Sequence, residues 1–337
     1  MRILVTGASG PLGRAVVAEF DALGVEALTL RGRGDPAPGT RVASFRDPDA
    51  LARAFDGVDA VLLVFPIEPD MARMAVDAVD AARRAGVRHL VRIGAIHGDA
   101  HAPYALLREH GRIDRIVVEG GVPWTLLHTA GLMQRWTTRL AAQVRAGTVA
   151  STEPDAGRPW VDVRDVAAAA ATVLADPSPH AGRVHRITGP EVLSVRAFAG
   201  IVGAAIGRPL RVERVTPEAA LAALLAQGVP PERAALLASL ARASADGLTA
   251  PVEPSTRRLI LRPQIDARTF ARDYAPVWGG EAARSCGGAQ SRSNTMSLAP
   301  SHSTSTPIGR SCSRPSTIVR KWLPASGPIF DANEHEP

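Results

Sequence analysis

Three glycines near the start of the chain have the spacing of a phosphate-binding turn. Gly7, Gly10 and Gly13 follow the apolar run 3–5 and lead into an amphipathic pattern over 11–23. A strand, a glycine turn and a helix in this order let the backbone approach a pyrophosphate, and the helix N–H groups and dipole face the anion. An ordinary glycine turn is the less favoured alternative in this context. We therefore expect NAD or NADP to bind at the loop formed by Thr6, Gly7, Ser9, Gly10, Pro11, Leu12 and Gly13.

A second group of residues bears on the choice between the two nucleotides. The second predicted strand ends in Leu30, and Arg31 and Arg33 follow it. An acid at this position holds the ribose hydroxyls of NAD, whereas a guanidinium can grip the 2′-phosphate of NADP. We expect NADP, with NAD as the alternative. NAD stays open for two reasons. Asp35 is an acid close to this position, and both arginines could be solvated loop residues only.

Composition narrows the class of protein. With 337 residues, 46% of them hydrophobic, the chain is long enough to bury a large core. It has no apolar run of about 18 residues, so we expect no membrane span. The net charge is +6, but arginines alternate with acids, and we expect no nucleic-acid partner. The two cysteines lie near the C-terminus and no signal peptide precedes the first strand, so we expect a cytoplasmic location.

Apolar runs and amphipathic patterns alternate along the first two thirds of the chain. Strands are predicted at 2–6, 25–30, 59–65, 87–93, 123–128 and 184–188. Helices are predicted at 11–23, from 47, from about 67 to 86, at 105–119 and at 166–175. This alternation is typical of an α/β fold with a doubly wound parallel sheet of the Rossmann type.

The later part of the chain changes character twice. From about residue 194 the pattern favours helices joined by short loops, ending in one helix at 260–278. Beyond 280 the chain is rich in Ser, Thr, Pro and Gly without an apolar period. We therefore predict a nucleotide-binding domain at 1–190, a small, mainly helical C-terminal lobe at 191–278 and a disordered tail at 281–337.

Six sequence blocks, in order, resemble the NmrA-like group of atypical short-chain dehydrogenases/reductases. They are VTGASGPLG, FRDPDALARAFDGVDAVLLVFP, AARRAGVRHLVRIGA, HGRIDRIVVEGGVPWTLLH, RPWVDVRDVAAAAATVL and HRITGPEVLSVRAFAGIVGAAIGRPL. The resemblance extends over about residues 1–278. The resemblance implies a Rossmann-type domain with a small lobe over the cofactor. It also implies one of two roles: an NAD(P)H-dependent reductase of quinones or related acceptors, or a regulator that binds the nucleotide without chemistry.

The resemblance and the topology together assign the rest of the cofactor site. Where the group usually has an acid next to adenine, this chain has Ser44. Phe65 and Pro66 end the third predicted strand, where the nucleotide ribose is expected. Gly94 and Ala95 end the next predicted strand, beside the expected nicotinamide, because ligands of open parallel sheets lie beyond the carboxyl ends of the strands.

The usual catalytic residues of short-chain reductases are absent. These enzymes use a tyrosine as the acid, a lysine that lowers its pKa and a serine that orients the substrate, whereas the only lysine here is Lys321. The resemblance places His110 at the lysine position and Leu106 at the tyrosine position. His110 is our first candidate for a proton donor, or for a ribose contact. Tyr104, with Arg108 four residues later, is the second.

Three functions remain open. The chain could transfer hydride from NADPH to a small apolar, quinone-like acceptor, with His110 or solvent supplying the proton. It could reduce a carbonyl or enone with Tyr104 and Arg108. It could instead bind NADP as a redox sensor without turnover. We expect no metal site, and we expect Leu132, Met133 and Trp136 to lie where a lid over an apolar acceptor could form.

Overall fold

The computed structural model describes residues 1–35 and 37–279. The predicted tail at 281–337 lies outside the described residues. Within them, nine strands occur, with these bounds: β1 Ile3–Val5, β2 Ala27–Arg31, β3 Thr40–Val42, β4 Ala60–Leu63, β5 His89–Ala95, β6 Trp124–Thr129, β7 Thr148–Ser151, β8 Arg183–Ile187 and β9 Arg211–Arg214.

Seven of these strands form one sheet in which every pairing is parallel. The order is β3-β2-β1-β4-β5-β6-β8. The chain proceeds outward from β1 to β3, then returns to β4 on the other side of β1. This reversal between β1 and β4 opens a crevice at the carboxyl ends of the strands, where nucleotides bind in doubly wound sheets. The predicted fold class is confirmed.

Helices connect and cover the strands. Their bounds are α1 Pro11–Ala22, α2 Pro48–Phe55, α3 Met71–Arg84, α4 Ala105–Glu119, α5 Ala141–Ala146, α6 Val163–Ala175, α7 Val195–Ala205, α8 Pro217–Ala226, α9 Pro231–Ala245, α10 Ser255–Ile260 and α11 Ala267–Tyr274. No helix in the described part of the chain has both the length and the apolar character of a membrane span.

Alternate residues of the buried strands face two different cores. Ile3 and Val5 of β1 pack with α1 and α6 on one face of the sheet. Leu4 packs on the opposite face with α2, α3 and α4. A strand that is buried on both sides reads as a continuous apolar run, which is why 59–65 predicted its strand so clearly. The result is a sheet covered by helices on both faces.

The later residues form a third core that is mainly helical, as predicted. Trp136 stacks on Phe198 of α7 with ring centroids 4.7 Å apart, and Phe270 of α11 packs edge-on against Phe198. Two details differ from the sequence reading. The single helix predicted at 260–278 is shorter, because Pro263 separates α10 from α11. A small parallel sheet of β7 and β9 also pairs residues far apart in the chain. The domain boundary at residue 190 stays a prediction.

Candidate functional site

The glycine turn between β1 and α1 is packed so closely that side chains would not fit. Gly7 has φ of +64°, and a Cβ there would lie 3.2 Å from the Val64 carbonyl oxygen. A Cβ on Gly13 would lie 2.4 Å from the Gly7 carbonyl oxygen. Helix α1 therefore approaches the turn at a distance that only glycine allows. The turn keeps an open backbone surface in the sheet crevice.

Thr6 has a different role from the one expected of a loop residue. Its side chain is fully buried. Its Oγ1 accepts a hydrogen bond from the Val64 N–H over 2.8 Å. This bond ties the start of the turn to the end of β4. Thr6 therefore holds the shape of the loop, and its hydroxyl faces the protein.

The first turn of α1 retains N–H groups for an anion. Gly10 supplies no side-chain cap, and its own N–H donates to the Gly7 carbonyl over 2.9 Å. Pro11 has no N–H group, so it cannot donate a hydrogen bond to an anion. The donors left are Leu12 and Gly13, because the first N–H groups of a helix have no intrahelical partner. Ser9 is exposed beside them. The turn thus fits a pyrophosphate.

The two arginines after β2 are solvent-exposed. Arg31 is the last residue of β2, and Arg33 and Asp35 follow it on the surface. Among the described residues, neither arginine lies within 4.0 Å of a carboxylate oxygen, although many other arginines do. β2 lies next to β1, so both arginines follow the strand that neighbours the glycine turn. They are available to an external phosphate.

In the loop that follows β3, the Ser44 hydroxyl already takes part in a local hydrogen bond. Ser44 Oγ accepts a hydrogen bond from the Arg46 N–H over 3.1 Å. The next residue, Phe45, lies against Phe65 with ring centroids 4.9 Å apart. Both rings are half-buried. Phe65 and Pro66 follow β4, and the aromatic partner of Phe65 is Phe45, which sequence reasoning did not predict. The Phe45 and Phe65 rings together form an apolar surface against which a flat ring could pack.

A buried arginine, Arg92, lies in the middle of β5, and sequence reasoning missed it. The Arg92 side chain is only 1% exposed. It extends across Gly94, where a Cβ would lie 2.1 Å from Arg92 Nη1. It then donates to Asp114 Oδ1 of α4 over 2.6 Å. Gly94 therefore makes room for a guanidinium that joins β5 to α4.

The same guanidinium determines which ring nitrogen of His110 carries the hydrogen, and it contributes to the low pKa of that ring. Arg92 Nη2 lies 2.8 Å from His110 Nδ1. Since an arginine only donates hydrogen bonds, Nδ1 must accept, and the ring hydrogen is on Nε2. Burial and then the positive charge of Arg92 lower the pKa of His110 to about 3. His110 is therefore a neutral imidazole with Nε2–H as its only polar hydrogen.

His128 completes this buried polar group from β6. Its Nε2 lies 2.9 Å from Asp114 Oδ2, and neither atom has an aligned hydrogen bond within the described residues. Arg92, His110, Asp114 and His128 thus come together from β5, α4 and β6. Next to them, Thr129 Oγ1 donates to the Gly94 carbonyl over 3.1 Å. The set lies at the carboxyl ends of two neighbouring strands, beside Gly94 and Ala95.

The structure does not pair Tyr104 with Arg108. The Tyr104 hydroxyl donates to Asp246 Oδ2 over 3.0 Å. Arg108 donates instead to the Ala102 carbonyl over 2.7 Å. Burial and the bond to Asp246 raise the pKa of Tyr104, so the phenol holds its proton more strongly than a free tyrosine. Leu106, at the position of the usual tyrosine, is buried in the core.

A broad cavity of about 770 Å³ opens beside these residues. Its walls include Tyr104, His128, Leu107 and Leu248, with Arg186 and Glu253 at one side. Within residues 1–35 and 37–279, His, Cys, Asp and Glu side chains form no cluster of three that could hold a metal ion. The carboxyl edge of the sheet thus combines an anion-binding turn, a neutral imidazole and a roomy cleft.

Comparisons with known proteins place this geometry in a family. Residues 7–177 match the family described as NAD(P)H-binding. A (4-alkanoyl-5-oxo-2,5-dihydrofuran-3-yl)methyl phosphate reductase of Streptomyces griseus is 36% identical over 83% of this chain and 100% of its own length. An NAD(P)H azoreductase of Xenophilus azovorans is 30% identical over 82% of this chain and 99% of its own length.

A solved structure agrees at the level of the fold. The NADPH-dependent quinone oxidoreductase of Escherichia coli, complexed with NADPH, superposes with a TM-score of 0.70 at 23% identity, over 80% of this chain and 98% of its own. The matched family segment contains the glycine turn, both exposed arginines and the His110 group. The chain belongs to the NAD(P)H-binding family, as its resemblance to the NmrA-like group of atypical short-chain dehydrogenases/reductases implied.

Proposed function

We propose that this chain is an NADPH-dependent reductase of small conjugated acceptors, quinones or enones, that works without a tyrosine acid. The observation that carries the proposal is the state of His110. It occupies the position of the usual lysine, but its Nδ1 is held by Arg92 and its pKa is lowered to about 3. A site built this way offers the Nε2–H of His110 as a hydrogen-bond donor.

Residues of the chain itself would hold the nucleotide. The Leu12 and Gly13 N–H groups suit the pyrophosphate, and Arg31 and Arg33 suit a 2′-phosphate. The Phe45 and Phe65 rings, 4.9 Å apart, suit the adenosine end. When bound, NADPH supplies hydride to an acceptor in the adjacent cleft. The free guanidinium groups favour NADP over NAD.

The choice of acceptor follows from the missing acid. Hydride addition to a simple ketone produces an alkoxide, which needs a proton donor at the oxygen in the transition state. Hydride addition to a quinone or an enone produces a delocalised anion. A hydrogen bond to its oxygen stabilises this anion sufficiently, without proton transfer in the transition state. His110 Nε2–H can give such a bond. Solvent then supplies the proton, because the Tyr104 hydroxyl is engaged with Asp246.

The relatives support a reductase with this kind of acceptor. The name of the Xenophilus azovorans enzyme describes reduction of azo compounds with NAD(P)H. The name of the Streptomyces griseus enzyme describes a furanone that carries an acyl group, in which the ring double bond is conjugated to carbonyls. Both acceptors are conjugated and electron-poor. By analogy, the substrate of this chain is a small electron-poor molecule and not a simple alcohol or ketone.

The test is a panel of acceptors with NADPH as the electron donor. Loss of NADPH absorbance is followed with quinones, cyclic enones, azo dyes and simple ketones at equal concentrations. The proposal predicts turnover with one of the conjugated classes and none with simple ketones. Tight NADP binding without turnover of any acceptor would instead favour a nucleotide-sensing protein. Turnover confined to simple ketones would contradict the acid-free site.

A further inference from the structure

A second, smaller cavity contains three arginines. It has a volume of about 150 Å³ and lies between the segment after β6, the segment before α6, and the helices α8 and α9. Arg135, Arg139 and Arg158 all line it. We call it the arginine pocket. Sequence reasoning assigned these arginines no role, since isolated basic residues usually belong to a solvated surface.

Within the part of the chain that the structure describes, these three arginines have no acidic partner within 4.0 Å, whereas Arg164 and Arg262 nearby pair with buried aspartates. The Nε atoms of Arg135 and Arg158 are buried without a hydrogen-bond acceptor. Burial and the charges of Arg139 and Arg158 lower the pKa of Arg135 to about 9. Arg139 is exposed, but Arg135 and Arg158 bring two like charges into one cavity that has no counter-ion among the described residues. Such an arrangement is unfavourable unless an anion binds there.

The acids closest in sequence to Arg158 pair with other arginines. Asp155 pairs with Arg196 and Arg214. Asp162 pairs with Arg164. The Glu153 carboxylate accepts two hydrogen bonds from Arg214, each of 3.1 Å. Arg158 instead lies over the Trp160 ring, 5.8 Å from its centroid. The charge of the arginine pocket is thus left for a ligand to neutralise.

The remaining walls of the arginine pocket are apolar. Two tryptophans, Trp136 and Trp160, lie on one side. The other side is formed by α8, which carries Ala and Leu around its whole circumference, and by α9. The apolar residues that these two helices contribute are Ala219, Ala220, Ala223, Leu224, Leu237, Ala238, Leu240 and Ala241. The ligand that matches these walls has an anionic group and an apolar body.

We propose that the arginine pocket binds the anionic group of the acceptor, and that this group is a phosphate monoester on a short apolar body. The inference rests on the proposed function, because it assigns part of the reductase substrate. Leu240, which lines the arginine pocket, packs against the same small apolar cluster as Ala95. The pocket therefore adjoins the nicotinamide edge expected at Gly94 and Ala95.

Three guanidinium groups select a phosphate monoester over a carboxylate. A monoester carries close to two negative charges at neutral pH and three acceptor oxygens. Arginine forks pair with phosphate oxygens in a bidentate way. A carboxylate has one charge and two oxygens, which leaves one arginine unmatched. A volume of about 150 Å³ admits the head group and a few carbons, below the range of a drug-sized ligand pocket.

The experiment is calorimetry of n-butyl phosphate binding to the full chain already saturated with NADP⁺. Saturation keeps the phosphate away from Arg31 and the glycine turn. We expect n-butyl phosphate to bind, and Arg135→Gln and Arg158→Gln each to weaken its binding about tenfold or more, the usual effect of losing a charged hydrogen bond. Arg115→Gln on the surface of α4 is the matched control and should leave the affinity unchanged.

Three other probes identify what the arginine pocket recognises. We expect n-butanol, butyrate and inorganic phosphate all to bind more weakly than n-butyl phosphate. Equal binding of butyrate would overturn the choice of phosphate, and equal binding of inorganic phosphate would overturn the apolar body. Equal affinity of wild type and both arginine variants would overturn the pocket itself.

The same titration separates this inference from the proposed function. Heat from NADP⁺ binding, recorded first, shows that each variant is folded and has its nucleotide site. If NADP⁺ binds and neutral quinones or enones oxidise NADPH, but n-butyl phosphate gives no heat, only the arginine pocket is wrong. If NADP⁺ itself does not bind to the wild type, the proposed function fails.

Discussion

Arg92 donates a hydrogen bond to Nδ1 of His110 over 2.8 Å, from a side chain that crosses Gly94. This contact joins β5 to α4 at the carboxyl edge of the sheet. It makes His110 an acceptor on one nitrogen and a donor on the other. The residue at the position of the usual lysine is therefore uncharged.

The state of His110 predicts how the rate depends on pH. With a pKa of about 3, the protonated fraction at pH 7 is about one in ten thousand. Acceptor-dependent NADPH oxidation should therefore be flat between about pH 5 and pH 8, measured as initial rates at saturating NADPH. An imidazolium donor would instead give a rate that falls as pH rises through about 6.5. His101→Ala, on the surface, should match the wild type.

His110→Ala should lower turnover more than nucleotide binding. The variant removes the Nε2–H that supports the delocalised anion, at an expected loss of about tenfold or more in kcat. The measurement is kcat with the best acceptor, alongside NADPH affinity by calorimetry. If affinity falls as much as kcat, His110 is only a ribose contact. Unchanged kcat and unchanged affinity would remove it from the site.

Substitution of Asp114 should lower the stability of the fold strongly. Its carboxylate is the only acid within 4.0 Å of the Arg92 guanidinium in the described residues. Asp114→Ala leaves Arg92 buried and unpaired, which should lower the free energy of unfolding by about 3–5 kcal/mol. Glu119→Ala removes an exposed ion pair on the same helix and should cost less than about 1 kcal/mol. Urea unfolding of both variants is the measurement, and equal losses would argue against a buried pair.

Arg31 should distinguish the two nucleotides. Arg31→Ala removes an exposed guanidinium that lies within 4.0 Å of no carboxylate oxygen in residues 1–35 and 37–279, so a 2′-phosphate loses its partner. We expect NADPH affinity to fall about tenfold or more, with little change for NADH. The matched control is Arg84→Ala, an exposed arginine in the last turn of α3. Equal weakening of NADPH and NADH by Arg31→Ala would contradict the preference for NADP.

Features that depend on residues close together in the chain could be predicted from the sequence. The glycine turn was predicted because strand, glycine and helix signals adjoin within 3–20. Helix α4 was predicted at its observed bounds, 105–119, because Pro103 precedes it and Gly120 ends it. The sequence also singles out Arg31 and Arg33, because the residue type at the end of the second strand favours either NAD or NADP.

The parts that were missed depend on contacts between distant residues. Arg92 lies within an apolar strand, and no local signal shows that its side chain turns back over Gly94 toward Asp114. Asp114 reads as a polar residue on an amphipathic helix. Arg135 and Arg158 are separated by more than twenty residues and come together only through the fold. Neither periodicity nor spacing can reveal such pairs, because burial of a charge is a property of the packed structure.

The most direct test of the account follows deuterium from NADPH into an enone. The protein is supplied with NADPH deuterated at its transferable position and with the enone that turns over fastest in the panel, and the saturated product is analysed by mass spectrometry and NMR. We predict one deuterium at the β carbon, on a single face, and a solvent-derived hydrogen at the α carbon. A protein that binds NADPH tightly but transfers no deuterium to any conjugated acceptor would contradict the account.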